Sequence, residues 1–150
     1  MLSKEPIFHI DCAVGEIQRF GNTPYGERRV IDITGGRVHG PKLQGRILPG
    51  GTDRQIVRAD GATDLTARYS IATDAGGLIL VNSDGLRHGP PEVLAAIARG
   101  EEVPPERYYF RTVMRFETAD PASAWLNRLI ALATGKREQQ RVLLDVFEVV

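Results

Sequence analysis

The sequence predicts an all-β fold: an antiparallel β-barrel of about eight or nine strands with one or two short helices. Short runs rich in Val, Ile, Thr, Tyr and Phe alternate between apolar and polar side chains, the period-two signature of half-buried strands. Gly, Pro, Asn and Asp separate these runs at short intervals, and residues 35–69 alone hold seven glycines and two prolines. Only one stretch has helical spacing with firm stops at both ends. A closed barrel is preferred to a sandwich because closure removes exposed strand edges, although periodicity alone does not separate the two.

Along the chain, Phe8, Ile10, Cys12 and Val14 share one parity while His9 and Asp11 take the other, so residues 7–20 read as a strand bent at Gly15. The loop GNTPYGE leads into the β-branched run RRVIDIT, with Gly35-Gly36 as its expected end. Val38–Ile47 reads as one interrupted strand or two short ones, since Pro41 confines pairing to an edge or a bulge. After the Pro49-Gly50-Gly51 turn, Gln55–Arg58 and Asp64–Asp74 form neighbouring strands joined through Ala59-Asp60-Gly61. Residues 78–82, LILVN, form a short buried strand. Pro90-Pro91-Glu92 then opens a helix with Val93, Leu94 and Ile97 on one stripe and Gly100 as its C-terminal cap. RYYFRTVMRFE (residues 107–117) alternates again, Asp120-Pro121 caps a helical turn through Trp125 and Leu126, and RLIALAT and RVLLDVFEVV are strands around a turn at Gly135-Lys136.

These 150 residues suit a single domain spanning 1–150, with no linker, repeat or low-complexity tract. Nineteen basic residues balance nineteen acidic ones and interleave with them, which disfavours nucleic acid and anionic membranes as partners. No apolar run approaches membrane-spanning length and no charged-then-apolar leader opens the chain. With the lone Cys12 excluding an intramolecular disulfide, the expectation is a cytoplasmic protein.

The ordered set GGRVHGPKLQGRILPGGTD, RADG, LTARY, YYFRT with RFET, and DPASAWLN resembles domain of unknown function family 3237, also known as uncharacterised protein family 0311. The resemblance spans roughly residues 7–150. It implies a compact β-barrel that occurs as a stand-alone protein in bacteria and fungi, with no settled activity. Some relatives stand in biosynthetic gene clusters and look like small-molecule cyclases, so the resemblance permits a ring-forming or isomerising role. Two departures bear on ligand choice: Arg54 stands where the family commonly has an aromatic after GG-x-D, and Val113-Met114 stands where a proline often follows FRT.

Candidate chemistry concentrates in the glycine-rich segment and in strand 107–117. Asp64, Thr66, Arg68 and Ser70 share one face of their strand, and Arg107, Tyr109, Arg111 and Arg115 share one face of theirs. If those faces line a lumen, a desolvated Asp serves as general base and Arg or Tyr holds a developing oxyanion. The usual inside–outside pattern of an antiparallel sheet favours solvated polar faces instead. The recurrence of ARY and FRT in the resemblance draws Arg68 and Arg111 forward, although ion-pairing in the framework would explain both. The expected catalytic residues are Asp53, Arg68 and Arg111, with His39, Asp64, Tyr69 and Tyr109 binding the ligand. Cys12 lies on the apolar parity and reads as core, and Trp125 reads as packing against the barrel end.

His9, His39 and His88 have no metal-site spacing, so no metal and no cofactor are expected. GPKLQGRI lacks the Lys-Ser/Thr pair and the following helix of a phosphate loop. The leading function is a small-molecule-binding barrel, an enzyme for cofactor-free isomerisation or cyclisation of a small oxygenated metabolite. The alternative is a non-catalytic carrier or structural module, a homodimer or higher homo-oligomer in which LIALAT and VLLDVFEVV form the subunit contact.

Overall fold

Alternation in the sequence becomes an inside and an outside in the computed structural model, which describes residues 1–150. The strands are β1 (Phe8–Thr23), β2 (Gly26–His39), β3 (Gln44–Ile47), β4 (Gly51–Val57), β5 (Thr63–Thr73), β6 (Leu78–His88), β7 (Tyr109–Thr118), β8 (Ala131–Arg137) and β9 (Arg141–Glu148). The helix α1 (Pro91–Ala98) lies between β6 and β7, and short 3-10 segments cover Pro105–Arg107 and Pro121–Arg128. All strand pairs are antiparallel, and the ring runs β1-β9-β8-β7-β6-β5, returning through β2 to β1. Between β5 and β2 two strands share one position: β4 pairs with Glu27–Ile33, and β3 pairs with Arg37–His39. The result is a closed eight-strand barrel with one extra strand.

The inward parity is graded along the barrel axis. At one end Phe8, Ile71, Ile79, Met114 and Val146 are fully buried, Phe8 and Phe116 meet edge to face at 5.7 Å, and Leu126 of the 3-10 segment closes the base. Each such side chain contributes roughly 1.5–3 kcal/mol by leaving water, so this plug dominates the stability of the fold. Toward the other end the same parity carries Gln55, Thr63, Arg87, Thr112 and Arg137, all buried. The polar end therefore results from a change of residue type within one inward-facing stripe.

Several boundaries differ from the sequence reading. β2 does not stop at Gly35-Gly36 but runs through them, because Gly36 adopts φ +134° and a Cβ there would fall on the Asp11 carbonyl oxygen of β1. β6 continues past residue 82 to His88, since NSDG has ladder partners on both β5 and β7 and the pairing overrides its turn-like composition. Gly135 is not in a turn either. It lies inside β8, where a Cβ would stand 2.7 Å from the Phe110 ring, and the reversal comes after Arg137. By contrast α1 has proline in its first turn and Gly100 at φ +83° just beyond its end, and the Asp120 side chain accepts from Ala122 N–H, as the sequence suggests. No helix is long and apolar enough to cross a membrane.

Candidate functional site

Two adjoining cavities occupy the polar end of the barrel. The outer one, about 480 Å³, is bounded by β1, β2, the residues after β8 and the Leu94–Ile97 face of α1. The inner one, about 50 Å³, sits in the lumen among Cys12, Asp53, Tyr69, Ser83 and Thr112. Val14, Ile31, Arg87 and Arg137 contribute to both, so the two arginines stand at the boundary between mouth and lumen.

Glu16 lines the outer cavity, and Asp53 is the only carboxylate lining the lumen. β4 turns it inward on the same parity as Gln55, and a short relay fixes it. Arg29 Nη2 donates to Gln55 Oε1 at 2.8 Å, Gln55 Nε2 donates to Asp53 Oδ2 at 2.8 Å, and Thr66 N–H donates to Asp53 Oδ1 at 3.0 Å. Burial raises the Asp53 carboxyl above its ordinary value; the Gln55 and Thr66 hydrogen bonds and the Arg87 and Arg137 charges act the other way. A carboxylate raised by desolvation but held by donors is suited to accept a proton.

The groups around it are donors left without partners. Tyr69 Oη and Thr112 Oγ1 are buried and make no hydrogen bond to another protein atom, and Arg137 Nη1 and Arg29 Nε are in the same condition. Native interiors rarely leave such atoms unpaired. Burial pushes the Tyr69 phenol well above its ordinary value, so it remains a proton donor at neutral pH. Burial also pushes the Cys12 thiol up to about 12, which removes it as a nucleophile.

The charge balance is uneven. Arg87 and Arg137 are each 7% exposed, and none of the protein's ion pairs includes Arg29, Arg87 or Arg137. Burial lowers all three guanidiniums; neighbouring site arginines add to it at Arg87 and Arg137 and Arg19 adds to it at Arg29, Asp53 acts the other way on each, and Arg87 falls to about 10. Arg87 lies over the Phe110 ring, 5.6 Å from its centroid.

Of the residues that the sequence suggests, Asp53 and Tyr69 come together in the lumen. The others lie on the outer wall. Arg68 makes a fork to Asp84 at 3.0 and 3.4 Å. Arg111 donates to the Phe110 carbonyl at 2.9 Å and covers Tyr109, which in turn stacks on His88 at 5.0 Å. Asp64 faces Arg58 at 3.6 Å, and His39 stacks on His9, whose Nδ1 meets Asp145 at 2.6 Å. The polar faces of β5 and β7 thus point to solvent, because Leu65, Tyr69, Phe110 and Met114 claim the interior. No cluster of three or more His, Cys, Asp or Glu side chains could hold a metal.

Arg29 and Gln55 lie within strands the sequence already suggests but are not singled out by it, whereas Arg87 and Arg137 lie beyond the suggested strands and enter once parity is extended to the true strand ends. Arg29 follows the parity of Ile31 and Ile33, Arg87 that of Ile79, Val81 and Ser83, and Arg137 that of Ala131 and Ala133.

Fold and site together define a closed antiparallel barrel with a polar pocket at one end and an apolar plug at the other. The chain belongs to the family described as protein of unknown function (DUF3237), whose model matches residues 2–149. It is 38% identical over 148 residues to a UPF0311 protein of Rhodopseudomonas palustris, covering 99% of this chain and 97% of that one. The crystal structure of a conserved protein of unknown function from the same species superposes with a TM-score of 0.93 at 37% identity, covering 100% of this chain and 98% of that one. An enzyme from Penicillium herquei is similar in fold alone, with a TM-score of 0.70 at 21% identity over 97% of this chain and 94% of that one.

Proposed function

We propose that the protein binds a small oxygenated metabolite in the barrel mouth and catalyses a cofactor-free proton transfer on it, an isomerisation or a cyclisation. The observation that carries this reading is the lone desolvated carboxylate of Asp53 beside unpartnered donors, Tyr69 Oη, Thr112 Oγ1 and Arg137 Nη1. A framework without a ligand to bind would gain by pairing those atoms or replacing them with apolar ones. In the reaction Asp53 removes a proton from a carbon next to a carbonyl, and the electron pair moves onto the carbonyl oxygen. Tyr69 and Arg137 hold that oxyanion, and the protonated Asp53 returns the proton at another atom, so the product is an isomer of the substrate. The occurrence of an enzyme on the same fold is compatible with this chemistry but lends it no substrate.

Deuterium wash-in tests the reading. A panel of cyclic ketones, enols and hydroxy-lactones is incubated with protein in heavy water and followed by proton NMR. The expected result is exchange at a carbon next to a carbonyl for at least one compound, abolished in Asp53→Asn. Exchange at an undiminished rate in Asp53→Asn, or none across the panel, overturns it.

A second reading, a homo-oligomeric carrier module, is favoured by one surface feature. Val113 pairs with Leu132 and Leu132 with Phe147, an outward row across β7, β8 and β9 in which Val113 and Leu132 are 47% and 37% exposed. A second copy of the chain would cover that row. Sedimentation velocity at micromolar concentration decides: a dimer lost in Leu132→Asp supports the reading, and a monomer rejects it.

A further inference from the structure

Accepting the lumen as the ligand site, the arrangement of charge and space across the two cavities also specifies what kind of molecule enters and which way round. The inner cavity, about 50 Å³, has room for only a few heavy atoms, and its walls carry the unpartnered donors of Tyr69 and Thr112. The outer cavity is about 480 Å³ and includes apolar surface from Ile17, Val57, Leu94 and Ile97. Between them stand Arg87 and Arg137, each more than nine-tenths buried and without an ion pair, with Arg29 alongside. Inside, these guanidiniums face the single carboxylate of Asp53; the mouth adds the carboxylate of Glu16 and the guanidiniums of Arg19 and Arg99, so arginines outnumber carboxylates across the two cavities. Charges buried this deeply are ordinarily paired, yet Arg87 and Arg137 make no ion pair and feel Asp53 only at longer range.

We infer that the ligand is an organic acid anion that binds head first, its oxygens against Arg87 and Arg137 and its apolar body in the mouth against α1. This polarity is the reverse of a barrel that takes an apolar tail into its lumen. The apolar plug formed by Phe8, Ile71 and Met114 fills that space already. Planar guanidiniums favour a planar two-oxygen head, which they grip with paired charge-assisted hydrogen bonds. The Leu94–Ile97 face of α1 then acts as the wall that selects the body of the ligand.

Isothermal titration calorimetry of the full chain with 2-naphthoate, its neutral amide 2-naphthamide, and inorganic phosphate tests the inference. The expected result is that naphthoate binds and that both the amide and phosphate bind more weakly. Arg137→Gln and Arg87→Gln should each weaken naphthoate roughly 10- to 100-fold, as loss of a charge-assisted hydrogen bond does. Leu94→Asn should weaken naphthoate but leave phosphate unchanged, and Arg68→Gln on the outer wall should change neither. Thermal melts of each variant establish that it is folded. Amide binding as tight as naphthoate overturns the charge assignment while leaving the lumen as a ligand site. Phosphate binding tighter than naphthoate overturns the organic body and points to a free oxyanion. Failure of all three probes to bind overturns this inference, and the deuterium wash-in experiment then decides the proton-transfer reading separately.

Discussion

Replacing Arg87 by methionine should make the protein more stable while removing its ligand site. Burial and the neighbouring Arg137 and Arg29 lower the guanidinium from its ordinary arginine value to about 10. Each unit corresponds to ~1.4 kcal/mol, so the folded state carries a penalty of about 3 kcal/mol for keeping this group charged. The folded value lies below the unfolded one, so the penalty is fully present at neutral pH and is released only as pH rises through about 10 toward the ordinary arginine value. Methionine fills a similar volume without charge, but it loses the contact with the Phe110 ring, which costs about 0.5–1 kcal/mol. The net expectation is a gain of about 2 kcal/mol, or roughly 4–8 °C in Tm for a domain of this size. Differential scanning calorimetry at pH 7 in low-anion buffer measures it. An unchanged or lower Tm would show that the charge is compensated in the fold, and the argument for an anionic ligand would lose its main support.

Asp53→Asn should be neutral or slightly stabilising in the same melts. The raised carboxyl destabilises the folded state above its unfolded pKa, and that cost is relieved as pH falls through the folded value. Any proton-transfer activity should decline on the acid side with a midpoint above the ordinary aspartate value of 3.8, read from a kcat/KM–pH profile. Cys12, with its thiol pushed up to about 12, should resist iodoacetamide at pH 8 in the native protein and label fully in guanidinium chloride, as intact-mass spectrometry would record. Arg68→Ala and Arg111→Ala should each change stability by no more than about 1 kcal/mol in urea titrations, because their partners are exposed or backbone groups. Gly36→Ala should cost more than about 2 kcal/mol, since φ +134° and the Asp11 carbonyl both oppose a Cβ. A melt within a degree of the parent would contradict the account of the β1–β2 ladder.

The barrel was legible because strand alternation is a local signal. Phe8 to Val14, Leu65 to Ile71 and Phe110 to Phe116 each announce their inward face in the sequence, and α1 carries its own stop signals in Pro91 and Gly100. The site was less legible for a reason that lies in strand ends. NSDG has turn composition and Gly135 precedes a lysine, yet both are held in extended pairing by neighbours distant in sequence, which single-chain composition does not reveal. Each misplaced end concealed an arginine, Arg87 beyond NSDG and Arg137 beyond Gly135, because the last inward residue of a strand is the one that meets the mouth. Arg68 and Arg111 stood out in the sequence for the opposite reason. They lie mid-strand in arresting motifs, but Tyr69 and Phe110 beside them take the interior, and the arginines find Asp84 and a backbone carbonyl outside.

The buried arginines Arg87 and Arg137, which make no ion pair, receive the ligand's anionic head. Arginine side-chain Nε–Hε signals of nitrogen-15-labelled protein, followed by NMR during titration with 2-naphthoate, test this assignment most directly. The resonances of Arg87 and Arg137, assigned by single substitution, should move together and saturate while those of Arg68 and Arg111 stay fixed. Saturable shifts confined to exterior arginines, or none at Arg87 and Arg137, would contradict it.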